Sequence, residues 1–288
     1  MRLLHLLPKF MHRHKFIEIL CKTGLHKKTD QIFFNNASSA IINLLDPEPR
    51  NVFIKGEFEP DFFHIAKSFL PEEGTFFDLG ANVGFCSFGL CVDRPNAHYH
   101  LFEANLQLIH LLKQSVELYP HQKIYLNHAC ISDQAGTSYF QVESNQSGQS
   151  HVSTKDGKGI VVSNLKLDEY CDDISTNFID FTKIDLEGHE LPALHGWRKY
   201  LSTHRIKAIY IEIMPENQAR YGRLTNAPLS FLESLGYELY LYKKEDFGFF
   251  GDDPSETKFR NKSLELSRFC AQEFPQNFAT DILALTPS

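Results

Sequence analysis

The chain is 288 residues long, 42% hydrophobic, 13% aromatic and 23% charged, a profile that provides for a packed core and excludes bulk low-complexity disorder. Net charge is −7, but residues 1–28 hold seven Lys or Arg against Glu18 alone, which leaves −13 on the other 260 residues. A body this acidic repels phosphate backbones and argues against a nucleic-acid partner, and no apolar run reaches the roughly 20 residues of a membrane-spanning helix.

Residues 1–50 read as a basic, helical N-terminal extension, closed by the Pro-flanked stretch Asp46-Pro47-Glu48-Pro49. Its apolar run Leu3–Leu7 is interrupted by His5 and stopped by Pro8-Lys9, short of a secretory signal. Phe10, Met11, Phe16, Ile17, Ile19 and Leu20 stand beside the cations. That composition suits a peripheral seat on an anionic membrane, and equally packing against the acidic body or a second copy of the chain.

Residues 51–288 read as one α/β domain. Thr75–Asp78 predicts a buried strand stopped by Gly80, and Val83–Val92 an apolar helix. Tyr99–Phe102 is a second strand ending at Glu103. Asn105 then caps a helix whose Leu108, Leu111, Leu112 and Val116 share one face. Lys123–Ile131, Phe178–Ile184, Ala208–Ile213, Tyr237–Tyr242 and Asp281–Leu285 supply further strands, with helices at Glu190–Leu194 and Leu229–Leu235 between them. Strands that alternate with helices predict a mostly parallel sheet covered on both faces. The polar, Gly-rich stretch Ser144–Gly159 reads as a lid or a plain loop, and Asp246–Asn277 as irregular. None of the six cysteines forms a Cys-x-x-Cys pair. Cys86, Cys91 and Cys130 sit among apolar neighbours, as expected of reduced core residues in the cytoplasm.

The most informative segment is Phe77-Asp78-Leu79-Gly80-Ala81-Asn82-Val83-Gly84. A strand runs into a tight glycine turn that opens a helix, the place where dinucleotide-binding folds receive a pyrophosphate. Here Asp78 would repel a diphosphate, and Asn82 replaces the middle glycine. Both departures point toward S-adenosylmethionine, whose sulfur is cationic. Glu103 lies 23 residues beyond Gly80, the spacing of a carboxylate that accepts hydrogen bonds from ribose hydroxyls. Ser132 and Asp133, closing the third strand, are placed to bracket the adenine.

These pieces, with Glu103-Ala104-Asn105, Ala129-Cys130-Ile131-Ser132-Asp133, Leu167-Asp168-Glu169-Tyr170 and Lys183-Ile184-Asp185-Leu186-Glu187-Gly188-His189-Glu190, resemble the FkbM-type methyltransferases from Glu72 to Tyr242. The resemblance implies a class I, Rossmann-like methyltransferase fold, with a seven-stranded sheet whose last strand is antiparallel. It implies an O-methyltransferase that uses S-adenosylmethionine and a small-molecule or glycan hydroxyl. Asp78, Gly80, Asn82, Gly84 and Glu103 would line the cofactor site by match, with Asn105, Ser132 and Asp133 beside them. Asp185 and Glu187 would face the acceptor. Ala104 stands where the family commonly has Pro.

For the chemistry, Asp185 is the first candidate base, with His189 second and Glu187 beside them. Glu190 reads as a structural first-turn residue. Glu212, inside an apolar strand, is costly there unless paired or at a site. Asp185, Glu187 and Glu212 could supply oxygen ligands to Mg²⁺, but no dedicated metal motif accompanies them, and no metal is assigned. A Rossmann-type oxidoreductase and a catalytically silent binding module are the rival readings.

Overall fold

The structure is a computed structural model that describes residues 11–35, 37–143, 146–154, 157–242 and 264–287. The N-terminal part is only partly helical. Helix α1 (Met11–Lys22) leads into a hairpin of β1 (Thr29–Phe34) and β2 (Ser38–Asn43), followed by α2 (Pro47–Lys55) and α3 (Pro60–Phe69). The hairpin buries Ile32, Phe34, Ile42 and Leu44 in the same core as the helices of the main sheet. Phe16 and Ile19 of α1 face outward, while Ile17 and Cys21 pack in.

The alternating part follows the predicted order. It runs through β3 (Thr75–Leu79), α4 (Phe85–Asp93), β4 (His98–Glu103), α5 (Leu106–Val116) and β5 (Lys123–His128). A short β6 (Cys130–Ile131), β7 (Thr137–Gln141), β8 (His151–Val152) and β9 (Ile160–Leu165) come next, then α6 (Leu167–Asp173) and β10 (Ile179–Ile184). The chain continues with α7 (Glu190–His195), α8 (Arg198–Ser202), β11 (Ile206–Ile213), α9 (Pro215–Arg220), α10 (Ala227–Ser234), β12 (Glu238–Tyr242), β13 (Leu266–Phe269) and β14 (Thr280–Leu285).

The main sheet has the order β13-β12-β14-β11-β10-β3-β4-β5. Strands β11, β10, β3, β4 and β5 are parallel, and β14 enters antiparallel between β11 and β12. All six residues of the central strand β10 are buried, as expected of a parallel strand covered on both faces. This is the doubly wound arrangement the sequence implied, with one strand more. The added edge strand, β13, pairs antiparallel with β12 and comes from the stretch read as irregular.

The predicted continuous strand Lys123–Ile131 is broken. At Ala129 the backbone N–H turns to the Glu103 carbonyl, 3.1 Å away, and Cys130–Ile131 pairs with β9 in a second sheet of order β6-β9-β7-β8. That small sheet and the turn Ser147–Gln149 stand over the C-terminal ends of β3, β4 and β10. Among the described residues, no helix is long and apolar enough to cross a membrane. The six cysteines are unpaired, five of them buried.

Candidate functional site

Parallel strands end together, and the loops that follow them meet in one crevice. Here it is a cavity of about 210 Å³, lined by the loops after β3, β4 and β10, by Ala129 and β6, by Phe140, Val152 and Glu212 of β7, β8 and β11, and by the turn Ser147–Gln149. After β3 the N–H groups of Gly80 and Ala81 both donate to the Phe102 carbonyl at 3.0 Å. Gly80 has φ +80°, and a Cβ there would fall 1.9 Å from the Asp185 carbonyl oxygen. Only glycine meets both demands. Asn82 takes the left-handed conformation next to it, with φ +51°.

Glu103 closes β4 and is buried. Its two carboxylate oxygens accept from the backbone N–H groups of Asn82, at 2.9 Å, and Asn105, at 2.7 Å. Burial nevertheless pushes its pKa up to about 7, against those bonds. One side chain thereby ties together the loops that follow the neighbouring strands β3 and β4.

After β10, the segment Asp185–Glu190 folds around its own glutamate. Glu190 Oε1 accepts from the N–H groups of Leu186, at 3.1 Å, and Gly188, at 2.9 Å, which is the structural part expected of it. Glu187, with φ +53°, is held by Asn217 Nδ2 at 2.7 Å, and its carbonyl accepts from Arg220 at 2.9 Å. Asp185 receives the Lys183 ammonium at 2.8 Å. Lys183 is buried, which opposes its charge, yet the carboxylates of Asp185, Asp78 and Glu59 carry its pKa well above the ordinary value.

The cavity wall has an apolar part and an acidic part. Ala104, Cys130, Phe140 and Val152 pack in one apolar cluster, while Asp185, Glu187 and Glu212 converge, with Glu48 and Glu59 among the carboxylates that feel the Asp185 charge. Oxygens of Asp185, Glu187 and Glu212 lie within 4.8 Å of one another. The Asp185 charge, and then burial, push Glu212 up to about 10. Burial, and then Asp185, push Glu187 up to about 8. The three are close enough to share a hard cation, but nothing else among the described residues points to one.

The predicted site residues divide accordingly. Gly80, Asn82, Glu103, Asp185, Glu187 and His189 line the cavity, while Asp78, Gly84, Asn105, Ser132 and Asp133 stand outside its lining. Asp78 is buried behind the wall, where Oδ2 accepts from Ser87 and burial raises its pKa. It lies opposite Lys183 in the β3–β10 register, and the Lys183 charge opposes that rise. Gly84, with φ +83°, is the N-cap of α4. Asn105 caps α5 by accepting from Gln107 N at 3.0 Å. Ser132 and Asp133 follow the short β6, with the Ser132 N–H paired to Leu165 O at 3.0 Å. Burial, then Arg223, push His189 down to about 4, with Asp133 opposing.

Sequence reasoning did not single out Lys183, Glu48, Glu59 or the small-sheet residues Phe140 and Val152. A lysine one residue before the end of a strand that precedes Asp185 is a signal that could have found the first. Nothing local marks the others, because they arrive from distant segments. The turn Ser147–Gln149 covers the cavity from the polar stretch read as a lid or loop. Ser147 N donates to Asp46 Oδ2 at 3.0 Å, Ser147 Oγ to Asn82 Oδ1 at 3.3 Å, and Tyr221 Oη to Val152 O at 2.7 Å.

A family model described as the methyltransferase FkbM domain matches residues 78–239. No curated protein matches the chain. Among solved structures, the chain is similar to precorrin-6y C5,15-methyltransferase from Geobacter metallireducens GS-15, at 14% identity over 78% of this chain and 86% of that one, with TM-score 0.41. It is also similar to a TehB-like SAM-dependent methyltransferase from Corynebacterium glutamicum, at 15% identity over 67% and 80%, TM-score 0.39. M. jannaschii TYW2 in complex with AdoMet matches at 12% identity over 90% and 86%, TM-score 0.39. All three are remote similarities.

Proposed function

The chain belongs to the FkbM methyltransferase family and depends on S-adenosylmethionine, and on that premise we propose that it methylates a hydroxyl of a sugar, glycan or other small molecule. When bound, S-adenosylmethionine supplies a methyl group on a positively charged sulfur, whose departure needs no acid. The observation that carries the reading is the cavity with an apolar part, an acidic part and Glu103 lining it. An apolar slot suits a purine, a carboxylate suits two ribose hydroxyls, and an acidic wall suits a sulfonium and an ammonium.

In this reading Gly80, Asn82 and Glu103 hold the cofactor, and Asp78 with Gly84 and Asn105 supports them from behind. Asp185 faces the acceptor and takes the hydroxyl proton as the new C–O bond forms. Lys183 keeps that carboxylate in place through its 2.8 Å contact. Glu187 and Glu212, held protonated near neutrality by burial and by the charge of Asp185, offer O–H groups that orient an acceptor oxygen. Positioning of this kind contributes about 7–11 kcal/mol, and the base about 10²–10⁴-fold.

In this reading the methyltransferase domain is residues 51–288, and the described part of residues 1–50 packs into its core. Phe16 and Ile19, exposed on α1 with Lys15 and Lys22, favour its resting on an anionic membrane surface. Binding to anionic but not neutral vesicles tests that part.

The main test follows transfer of labelled methyl groups from S-adenosylmethionine to a panel of hydroxylated sugars and phenols. We expect an O-methyl product. Asp185→Asn should lower turnover by about 10²–10⁴-fold while affinity for S-adenosylhomocysteine stays near wild type. An N- or C-methylated product, or loss of cofactor affinity alongside turnover, would refute the reading.

A further inference from the structure

We propose that Glu187 and Glu212 sense the charge on the cofactor's sulfur. The pair gives up one proton when S-adenosylmethionine binds and none for the product, whose sulfur is neutral, so affinity for the charged ligand alone rises with pH. The proposal rests on the cavity reading above, which turns the sulfur toward Asp185. It starts from the carboxyl oxygens of Asp185, Glu187 and Glu212, which lie within 4.8 Å of one another. All three side chains line the cavity and are half-buried, so a ligand can reach them.

Their partners are unequal. Asp185 has the Lys183 ammonium at 2.8 Å, and Glu187 has the Asn217 amide at 2.7 Å. Glu212, between the buried Ile211 and Ile213, has no hydrogen bond or ion pair among the described residues. Its neighbour in the β11–β14 register is Asp281, itself bonded to Tyr242 Oη, and not a cation. Lys183 also stands opposite Asp78 of β3. Glu48 and Glu59 bring two more carboxyls to the same cavity, and Glu190 is engaged with backbone N–H groups beneath Glu187. The Arg220 guanidinium is bonded to the Glu187 carbonyl at 2.9 Å and to Asn217 Oδ1 at 3.2 Å, so only its longer-range charge reaches the Glu187 carboxyl.

Three carboxyls this close cannot all ionise against one ammonium that other carboxyls already share. The ligand-free protein therefore keeps Asp185 charged and both glutamates protonated. Burial and then Asp185 push Glu187 up to about 8, and the Asp185 charge and then burial push Glu212 up to about 10, in agreement with that count. A positive sulfur supplies the counter-charge the pair lacks. One glutamate then ionises and passes its proton to water, while the other keeps its O–H for the acceptor oxygen.

The test compares S-adenosylmethionine with S-adenosylhomocysteine by calorimetry, in two buffers of different ionisation heat. The ligands share purine, ribose and amino-acid tail, so protons moved at Glu103 or elsewhere by those groups cancel in the comparison. At about pH 7.5 the charged ligand should release about one proton more than the product. The ratio of their affinities should climb close to tenfold per pH unit between about pH 6 and pH 8. Infrared difference spectra should show one protonated-carboxyl band lost with S-adenosylmethionine only. Glu187→Gln combined with Glu212→Gln should abolish the extra proton and flatten the ratio, with affinity for S-adenosylhomocysteine within about threefold of wild type. If the double variant does not fold, the two single variants replace it, each expected to shift the pH at which the ratio climbs. Equal proton release for both ligands, an extra proton that survives the double substitution, or an unshifted ratio in both single variants overturns the proposal. Wild-type protein that binds neither ligand overturns the cavity reading along with it.

Discussion

At Gly80 an alanine would carry its Cβ to 1.9 Å from the Asp185 carbonyl oxygen and would have to hold φ +80°. The strain has no outlet, because the Asp185 N–H is tied to the Leu79 carbonyl at 3.0 Å. Gly80→Ala should therefore cost at least ~3 kcal/mol, read as a lower urea midpoint; a wild-type midpoint would mean the two loops part freely. The need for glycine in this turn was legible from its spacing in the sequence. Its contact with Asp185 was not, since that residue comes from another strand and approaches only once β3 and β10 pair. Asp78 shows the same limit. Its place at a strand end could be read directly, but its enclosure beside Ser87 and opposite Lys183 depends on which strand lies next to β3.

Elements with a strong apolar period were readable, and those defined by tertiary pairing were not. The strands at Thr75, Tyr99, Phe178, Ala208, Tyr237 and Asp281 fall within a residue or two of their predicted places. The break at Ala129 lies in a run with no Gly or Pro to announce it; the Glu103 carbonyl and β9 compete for that backbone. Hairpin β1–β2 falls in the segment expected to be helical, although Asn35-Asn36 between the apolar runs Ile32–Phe34 and Ala40–Ile42 is a turn signal. One anchor of the cover over the cavity is also an N-cap. Asp46 Oδ1 accepts from Glu48 N at 3.3 Å to start α2, and Oδ2 holds Ser147 N at 3.0 Å. Asp46→Ala should cost about 1 kcal/mol through the cap. It should also speed amide hydrogen exchange at Ser147–Ser150. Unchanged exchange there would show that the turn is fixed by other contacts.

Across the whole molecule, acidity concentrates at the C-terminal edge of the sheet, where several carboxylates surround Lys183. Glu187 at about 8 and Glu212 at about 10 both stand above their ordinary value of 4.5. A carboxyl raised by folding stabilises the folded state fully below its unfolded pKa, and that contribution is lost as pH rises through the folded pKa. The ligand-free protein should thus lose thermal stability between about pH 5 and pH 10. Glu212→Gln should flatten that decline and gain most at the alkaline end. A variant whose stability profile runs parallel to wild type would place Glu212 outside the coupled group. The central claim remains that one cavity receives a purine at its apolar part and a cationic sulfur at its acidic part. A crystal structure with S-adenosylhomocysteine tests it most directly. The account predicts the ribose hydroxyls on Glu103, the purine beside Phe140 and the sulfur turned toward Asp185; a ligand bound elsewhere, or with its purine against the carboxylates, would contradict it.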